Sequence, residues 1–244
     1  MLKLFGHALL NGLFPSTCRL CTQVVERDIP LCRYCERALT RNENPCACCA
    51  LPLREPFGGE SLCIACQEGS FDFDRVVAPF LYDTALAQLI GRWKYAGDHR
   101  LTPLLGELWL SRACPGPMPD LLVPVPLHWR RQLRRGFNQA ELLAHYLAAH
   151  HPQLQRSQLR PRLLLRQRAA QVQAGLGASG RGENASGAFT LSGTCDNLHI
   201  ALVDDVCTTG TTADAASRLL RAGGARAVDV WCLARTPGPI MGTG

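Results

Sequence analysis

Residues 200–215 read "IALVDDVCTTGTTADA". A short unbroken apolar run of this kind reads as a strand buried on both faces. It reaches two adjacent carboxylates, Asp204 and Asp205, which repel each other. It then breaks into a turn of Thr and Gly that buries little apolar area. A purely structural strand end needs one Asp and one Thr; two acids and four threonines point to a ligand. In an open α/β sheet, ligands bind beyond the carboxyl ends of the strands. The turn leads into a helix beginning near Thr212, whose free amides and dipole favour an anion. Thr208, Thr209, Thr211 and Thr212 add hydroxyl donors, and Gly210 permits close backbone approach. A phosphate monoester fits this turn. The two carboxylates suit the vicinal hydroxyls of a ribose, with Mg²⁺ to relieve their repulsion. A nucleotide P-loop is excluded, because no G-x-x-x-x-G-K-[ST] is present and no lysine is expected nearby, the chain having only Lys3 and Lys94.

The flanking sequence agrees with a parallel sheet. "FDRVVAPFLY" (73–82), "DLLVPVPL" (120–127), "IALVDDV" (200–206) and "AVDVWCLAR" (227–235) read as strands, the prolines of the second marking its end and an edge or a special turn, and "RLLLR" (162–166) is short and apolar. "DTALAQLIGRWKYAGD" (83–98) reads as a helix capped by Asp83, and "NQAELLAHYLAAHH" (138–151) as one capped by Asn138. "TADAASRLLRAGG" (212–224) is a helix that ends on glycines. Strands alternating with helices predict an α/β fold with helices on both faces of the sheet. Residues 167–188 have neither periodicity nor bulk, which predicts a lid over a site. Gly175, Gly177 and Gly180 match G-x-G-x-x-G there, but no buried strand precedes them and no apolar helix follows, so a dinucleotide site is rejected.

Upstream, the composition changes. Eight cysteines form four C-x-x-C pairs: Cys18/Cys21, Cys32/Cys35, Cys46/Cys49 and Cys63/Cys66. Two thiolates three residues apart on a tight turn reach one ion, and two such turns complete a tetrahedral zinc site. Four pairs predict one or two structural Zn²⁺ ions, with successive pairs joined and an interleaved arrangement as the alternative. Cys48 is an extra thiol able to replace Cys46 or Cys49. The glycine often found after the second cysteine of such a knuckle is missing, with Thr22, Glu36, Ala50 and Gln67 in its place. A thioredoxin-like redox role is rejected, since the pairs lie in a polar, Pro-interrupted segment with no βαβ pattern. Such a segment lacks the apolar content to fold without metal, and structural zinc supplies ~10–16 kcal/mol in isolated finger peptides. The expected organisation is a cysteine-rich domain over 1–70 and an α/β domain over 71–244.

Arg130 to Arg168 carries nine arginines against one acid, Glu141. Such a cluster suits phosphates, with a solvated basic face as the plain alternative. No apolar run reaches the ~18 residues of a spanning helix. The start, "MLKLFGHALLNGLF", is broken by polar residues and glycines and lacks a cleavage site, so an amphipathic helix and a cytoplasmic protein are expected.

"VDDVCTTGTT" resembles the phosphoribosyl-pyrophosphate (PRPP) motif of type I phosphoribosyltransferases. Together with the cysteine pairs, "WKYAGD" (93–98), "VPVPLHWRRQLRRGFNQAELLA" (123–144) and "R-x-x-N-x-x-GAF" from Arg181 to Phe189, the chain resembles the ComF/GntX family of competence-associated proteins. The likeness covers nearly all of it. Cys207 departs from the motif, standing where an aliphatic residue is usual. The resemblance implies a type I phosphoribosyltransferase fold behind a double zinc ribbon, with PRPP as ligand. It implies that Asp204 and Asp205 form the catalytic pair that holds the ribose hydroxyls. The run Val206, Cys207, Thr208, Thr209, Gly210, Thr211 and Thr212 would hold the 5′-phosphate. Arg134, Arg135, Gly136 and Asn138 would meet the pyrophosphate, with Arg181 as the charged contact of the lid. It also implies a role in DNA uptake, with single-stranded DNA and the uptake or helicase machinery as partners. On the first reading DNA lies along the Arg-rich surface, with Trp93, Tyr95 or Trp129 as stacking faces and core packing as the alternative for these aromatics. On the second, the protein is a metabolic enzyme that moves phosphoribose to a base or amine. The motif defines the donor and leaves the acceptor, and whether transfer occurs, open.

Overall fold

The computed structural model describes residues 16–53, 61–95, 97–166 and 188–238, the side chain of Trp129 excepted. The predicted N-terminal helix, Arg181 and nearly all of the predicted lid lie outside the described residues.

In chain order the elements are α1 (Arg33–Arg37), α2 (Ile64–Gln67), β1 (Arg75–Val77), β2 (Phe80–Leu81), α3 (Thr84–Tyr95), α4 (Leu101–Leu110), β3 (Leu121–Pro124), α5 (Trp129–Arg135), α6 (Gln139–His150), β4 (Leu164–Arg166), β5 (Phe189–Leu191), β6 (His199–Val203), β7 (Val206–Cys207), α7 (Thr211–Ala222), β8 (Ala227–Trp231) and β9 (Ala234–Arg235). Strands β1, β8, β6 and β3 form one parallel sheet in that order, with β6 and β8 at its centre. β3 is therefore an edge, which is where the prolines of "VPVP" are tolerated. The parallel sheet with flanking helices expected from the sequence is what the chain forms.

Every residue of β6 is buried, and its side chains alternate between two apolar clusters. Ala201 and Val203 face α3, α4 and α6, while Ile200 and Leu202 face α7. The period of two along a strand thus divides the core into two layers. Asp229, a buried acid on β8, has a structural explanation: Arg75, its register partner on β1, lies 2.7 Å away and His199 3.2 Å away.

The strands read as continuous over 73–82, 200–206 and 227–235 each come in two pieces. β2, β9 and β7 form a second parallel set that continues β1, β8 and β6. The breaks fall at Ala78–Pro79, Cys232–Leu233 and Asp204–Asp205, and they are cross-linked. Cys232 N–H donates to the Val77 carbonyl at 3.0 Å, Asp204 N–H to Trp231 at 2.9 Å, and Leu233 N–H to Asp205 at 3.1 Å. The sheet is creased along one line, and the two acids stand on the crease.

The predicted caps form: Asp83 Oδ1 accepts from Leu86 N–H at 2.8 Å, and Asn138 Oδ1 from Ala140 N–H at 3.1 Å. α4, which the sequence pattern did not reveal, is apolar nearly all round, so it carries no amphipathic period. It is a buried helix pressed against α6, and Gly106 is required there: a Cβ would stand 2.1 Å from the Tyr146 ring.

Candidate functional site

The crease opens into a cleft of about 480 Å³. Asp204, Asp205, Val206, Thr208 and Thr212 line it from one side, and Arg134, Arg135 and Asn138 from the other. Residues more than sixty positions apart in sequence thus meet around one volume. The cleft also takes in residues absent from the expected site: Lys94, Tyr82, Tyr95, Arg131 and Arg166. Lys94 corrects the expectation that the acids have no lysine beside them. It reaches from the end of α3 to Asp205 Oδ1 at 2.7 Å, with both side chains about five-sixths buried. Its only sequence signal was its place in "WKYAGD".

The two acids are inequivalent. Burial, then the Asp205 carboxylate, pushes Asp204 up to about 7, against Lys94, Arg166 and the Asp205 amide that bonds Asp204 Oδ1 at 2.8 Å. Two like charges on a crease share their cations unequally, so near neutral pH Asp204 holds a proton much of the time. Five cations against two acids leave the cleft strongly electropositive, which matches a polyanion better than a neutral sugar.

Several expected residues act through the backbone. Gly136 ends α5 at φ 79°, in the left-handed region that glycine enters without strain. Asn138 caps α6 and donates Nδ2 to the Val125 carbonyl at 3.0 Å, so its amide holds the 125–138 loop in shape. Arg134 and Arg135 lie over the Tyr95 ring at 6.0 and 5.0 Å from its centroid. Trp93, considered as a stacking face, is wholly buried and donates to Thr102 Oγ1 at 3.0 Å; the core alternative holds for it.

Within the turn, Gly210 is the N-cap of α7 at φ 88°. Thr209 and Thr211 bond each other's hydroxyls at 2.9 Å and do not line the cleft. Cys207 turns its side chain into the apolar layer under α7, where the aliphatic residue of the motif would sit. What holds the turn is Arg235, at the end of β9 and only 5% exposed. Its guanidinium donates to the carbonyls of Cys207 (3.2 Å), Thr208, Thr236 (3.0 Å) and Cys49 (2.9 Å). It has no acid partner among the described residues; carbonyl dipoles alone solvate the charge. Carbonyl acceptors leave no side-chain pattern, so sequence reading had no means of finding it.

The structure joins successive cysteine pairs. The Sγ atoms of Cys18, Cys21, Cys32 and Cys35 lie within 4.8 Å of one another, as do those of Cys46, Cys49, Cys63 and Cys66. Cys48 stands outside the second set, its thiol directed at the Phe73 carbonyl. Thr22 and Ala50, in place of the missing glycines, do adopt the left-handed conformation, at φ 65° and 54°. Glu36 and Gln67 need no glycine, because Cys32 and Cys63 instead start the short helices α1 and α2. Each cluster thus pairs one knuckle with one helix turn.

The donor chemistry fits Zn²⁺. In each cluster one thiol ionises readily: against burial, the amides of Cys63, Cys49 and Cys48 bring Cys46 down to about 7, and those of Cys21, Cys32 and Leu20 bring Cys18 to about 6. Burial and the crowding thiols then push Cys49 up to about 12 and raise Cys35 and Cys66 further. Four sulfurs this close do not all deprotonate unless a dication sits among them.

Fold and site together define a class: a parallel α/β protein with a double zinc ribbon at its front. Residues 9–67 match the family model described as Double zinc ribbon domain. The DNA utilization protein YhgH of Salmonella typhi is 35% identical over 230 residues, covering 91% of this chain and 98% of that one. Competence protein F of Haemophilus influenzae is 31% identical over 240 residues, covering 94% and 93%. A solved purine phosphoribosyltransferase from Pyrococcus horikoshii Ot3 aligns over 58% of this chain and 75% of its own at 16% identity and a TM-score of 0.31. The chain belongs to the ComF/GntX family of competence-associated proteins, and its two cysteine clusters are structural zinc sites. No helix among the described residues is long and apolar enough to cross a membrane.

Proposed function

We propose that the cleft binds PRPP with Mg²⁺ in a protein that serves DNA uptake. The observation that carries this is the convergence, in one cleft, of the acid pair, the Thr208–Thr212 turn and five cations. Asp204 and Asp205 take the ribose hydroxyls and Mg²⁺. The amides at the start of α7 and the hydroxyls of Thr208 and Thr212 take the 5′-phosphate, with Thr209, Gly210 and Thr211 shaping the turn. Arg131, Arg134, Arg135 and Arg166 face the pyrophosphate, where the planar fork of Arg bonds two oxygens at once. Arg181 would join from the 167–188 segment. Lys94 holds Asp205 until ligand and metal arrive. Residues 1–70 serve as the zinc-bearing domain and 71–244 as the PRPP-binding domain. The relatives named for DNA utilization and competence support the DNA role.

Calorimetric titration of PRPP and Mg²⁺ into the zinc-loaded protein tests the reading. Binding is expected to need Mg²⁺ and to vanish in Asp204→Asn/Asp205→Asn. Binding that survives the double change, or that is as strong for ribose without phosphates, would sink it. Pyrophosphate release only when a base or amine is added would identify the metabolic transferase instead.

A further inference from the structure

The arginines that line the cleft are committed to its ligand, so a DNA strand needs another surface. A groove of about 640 Å³ lies where the first zinc cluster meets β2 and the end of α4. Two of its arginines, Arg27 and Arg112, are both held by Glu36, at 2.8 and 3.1 Å. The other three, Arg33, Arg37 and Arg41, are exposed and form no ion pair with any described residue. Arg33 and Arg37 stand one turn apart on α1, and Tyr34, next to Arg33 on the same short helix, is 82% exposed at the rim of the groove.

The wall that carries them is fixed. Thr40 N–H bonds Asp83 Oδ2 at 2.8 Å, Leu81 N–H bonds the Thr40 carbonyl at 2.9 Å, and Asn42 N–H bonds the Pro79 carbonyl at 3.0 Å. Three exposed arginines without ion pairs outnumber Glu43, the one exposed acid that also lines the groove, and with the exposed ring of Tyr34 they make a track for phosphates with a stacking face for a base. An acidic protein suits the groove poorly. Leu39, Phe80 and Leu108, the apolar groups on its floor, are at most 3% exposed and offer no pocket for a protein anchor.

We infer that single-stranded nucleic acid binds along this groove, with Arg33, Arg37 and Arg41 on successive phosphates and Tyr34 stacked on a base. This rests on the reading of the protein as one that handles DNA. It places the strand on the first zinc ribbon and leaves the cleft to its own ligand.

The test is fluorescence anisotropy of a labelled oligothymidylate of about 20 nucleotides, titrated with the full-length, zinc-loaded chain across a salt series. Arg33→Ala/Arg37→Ala/Arg41→Ala is expected to lower affinity at least about tenfold, and to lower the log–log salt slope by about 2, at ~0.7 per lost phosphate. Zinc content, melting temperature and PRPP affinity are expected to stay at wild-type values. Tyr34→Ala is expected to lower affinity about fivefold, and Tyr34→Phe to keep it, because stacking needs the ring and not the hydroxyl. If the triple variant binds like wild type while Arg131→Ala/Arg134→Ala does not, DNA lies at the cleft and the groove is overturned, though the DNA role stands. If wild type binds no oligothymidylate, the DNA role itself falls. Polyglutamate that competes as well as DNA of equal charge would overturn the groove as a nucleic-acid site.

Discussion

The two zinc clusters have the same ligands and the same knuckle-plus-helix geometry, yet they attach to opposite faces of the sheet. The first contributes Cys18, Val25, Leu31, Cys35 and Leu39 to the layer with α3, α4 and α6. The second contributes Cys46, Cys49, Ala50 and Cys63 to the layer with α7. Apolar packing and the main-chain bonds of Thr40 and Asn42 hold the first. The second is wired to the Thr208–Thr212 turn, since Arg235 bonds the Cys49 carbonyl and those of Cys207 and Thr208 through one guanidinium. Identical metal chemistry is therefore tied into the fold in two ways, by packing against one face of the sheet and by a main-chain brace to the Thr208–Thr212 turn on the other.

The sharpest way to break this contrast is to remove each metal alone. Structural zinc supplies ~10–16 kcal/mol, so each loss should unfold its own ribbon. Cys46→Ser/Cys49→Ser is expected to lose one zinc and all measurable PRPP binding. Cys18→Ser/Cys21→Ser is expected to lose one zinc and still bind PRPP within about twofold once the protein is kept folded at low temperature. Metal analysis paired with calorimetry reads both. Equal loss of binding in the two variants would mean that the faces are not separate.

A narrower cut is Arg235→Met. It removes the side-chain donor of the Cys49 and Thr208 carbonyls and one of the two donors of Cys207, at about 3 kcal/mol. That is a fall of about 6–12 °C in melting temperature for a domain of this size. PRPP affinity should fall with it while both zinc ions remain bound. Arg235→Lys is expected to recover little, because an ammonium cannot span four carbonyls that the planar fork reaches. Circular dichroism melts and zinc content distinguish this from a general loss of fold.

The crease between the faces should have its own pH signature. With Asp204 raised to about 7, the folded state binds a proton that the unfolded state releases near 3.8. Stability from this group is therefore full below 3.8 and is lost as pH rises through 7. Binding of Mg²⁺ needs the ionised form, so affinity for PRPP should rise about tenfold from pH 6 to pH 8. A matching Asp205→Asn variant should weaken binding and shift the transition to lower pH, because the like charge is gone. A flat profile in wild type would remove Asp204 from the site. The smallest effect should be common to both clusters. Thr22→Gly and Ala50→Gly relieve left-handed residues and should each stabilise by about 1 kcal/mol in chemical denaturation.

These contrasts also mark what sequence could reveal. The acid pair and the Thr208–Thr212 turn are contiguous, so their chemistry was legible as a motif; the cysteine spacing was legible for the same reason. Lys94 pairs with an acid 111 positions away, and only the fold brings them together. α4 was invisible because burial on all sides erases the period by which helices are recognised. The crease was invisible because apolar residues run on both sides of the breaks at 78–79 and 232–233, so no change of pattern marks them. Sequence placed Asp204 and Asp205 at the end of a strand, where they stand at a step within one. Arg235 was hidden because main-chain acceptors have no residue identity.

The chain order of Arg235 has a consequence for how the molecule is made. The cysteines of both ribbons leave the ribosome before the strands of the sheet, and their local pairs can take metal while those strands are still being synthesised. The outer strand β1 must wait for β8, more than 150 residues later, before it has a neighbour. The brace between Cys49 and the Thr208 turn must wait for residue 235. During translation both cysteine clusters are thus complete well before that turn is held, and the cleft takes its shape only when β9 is delivered.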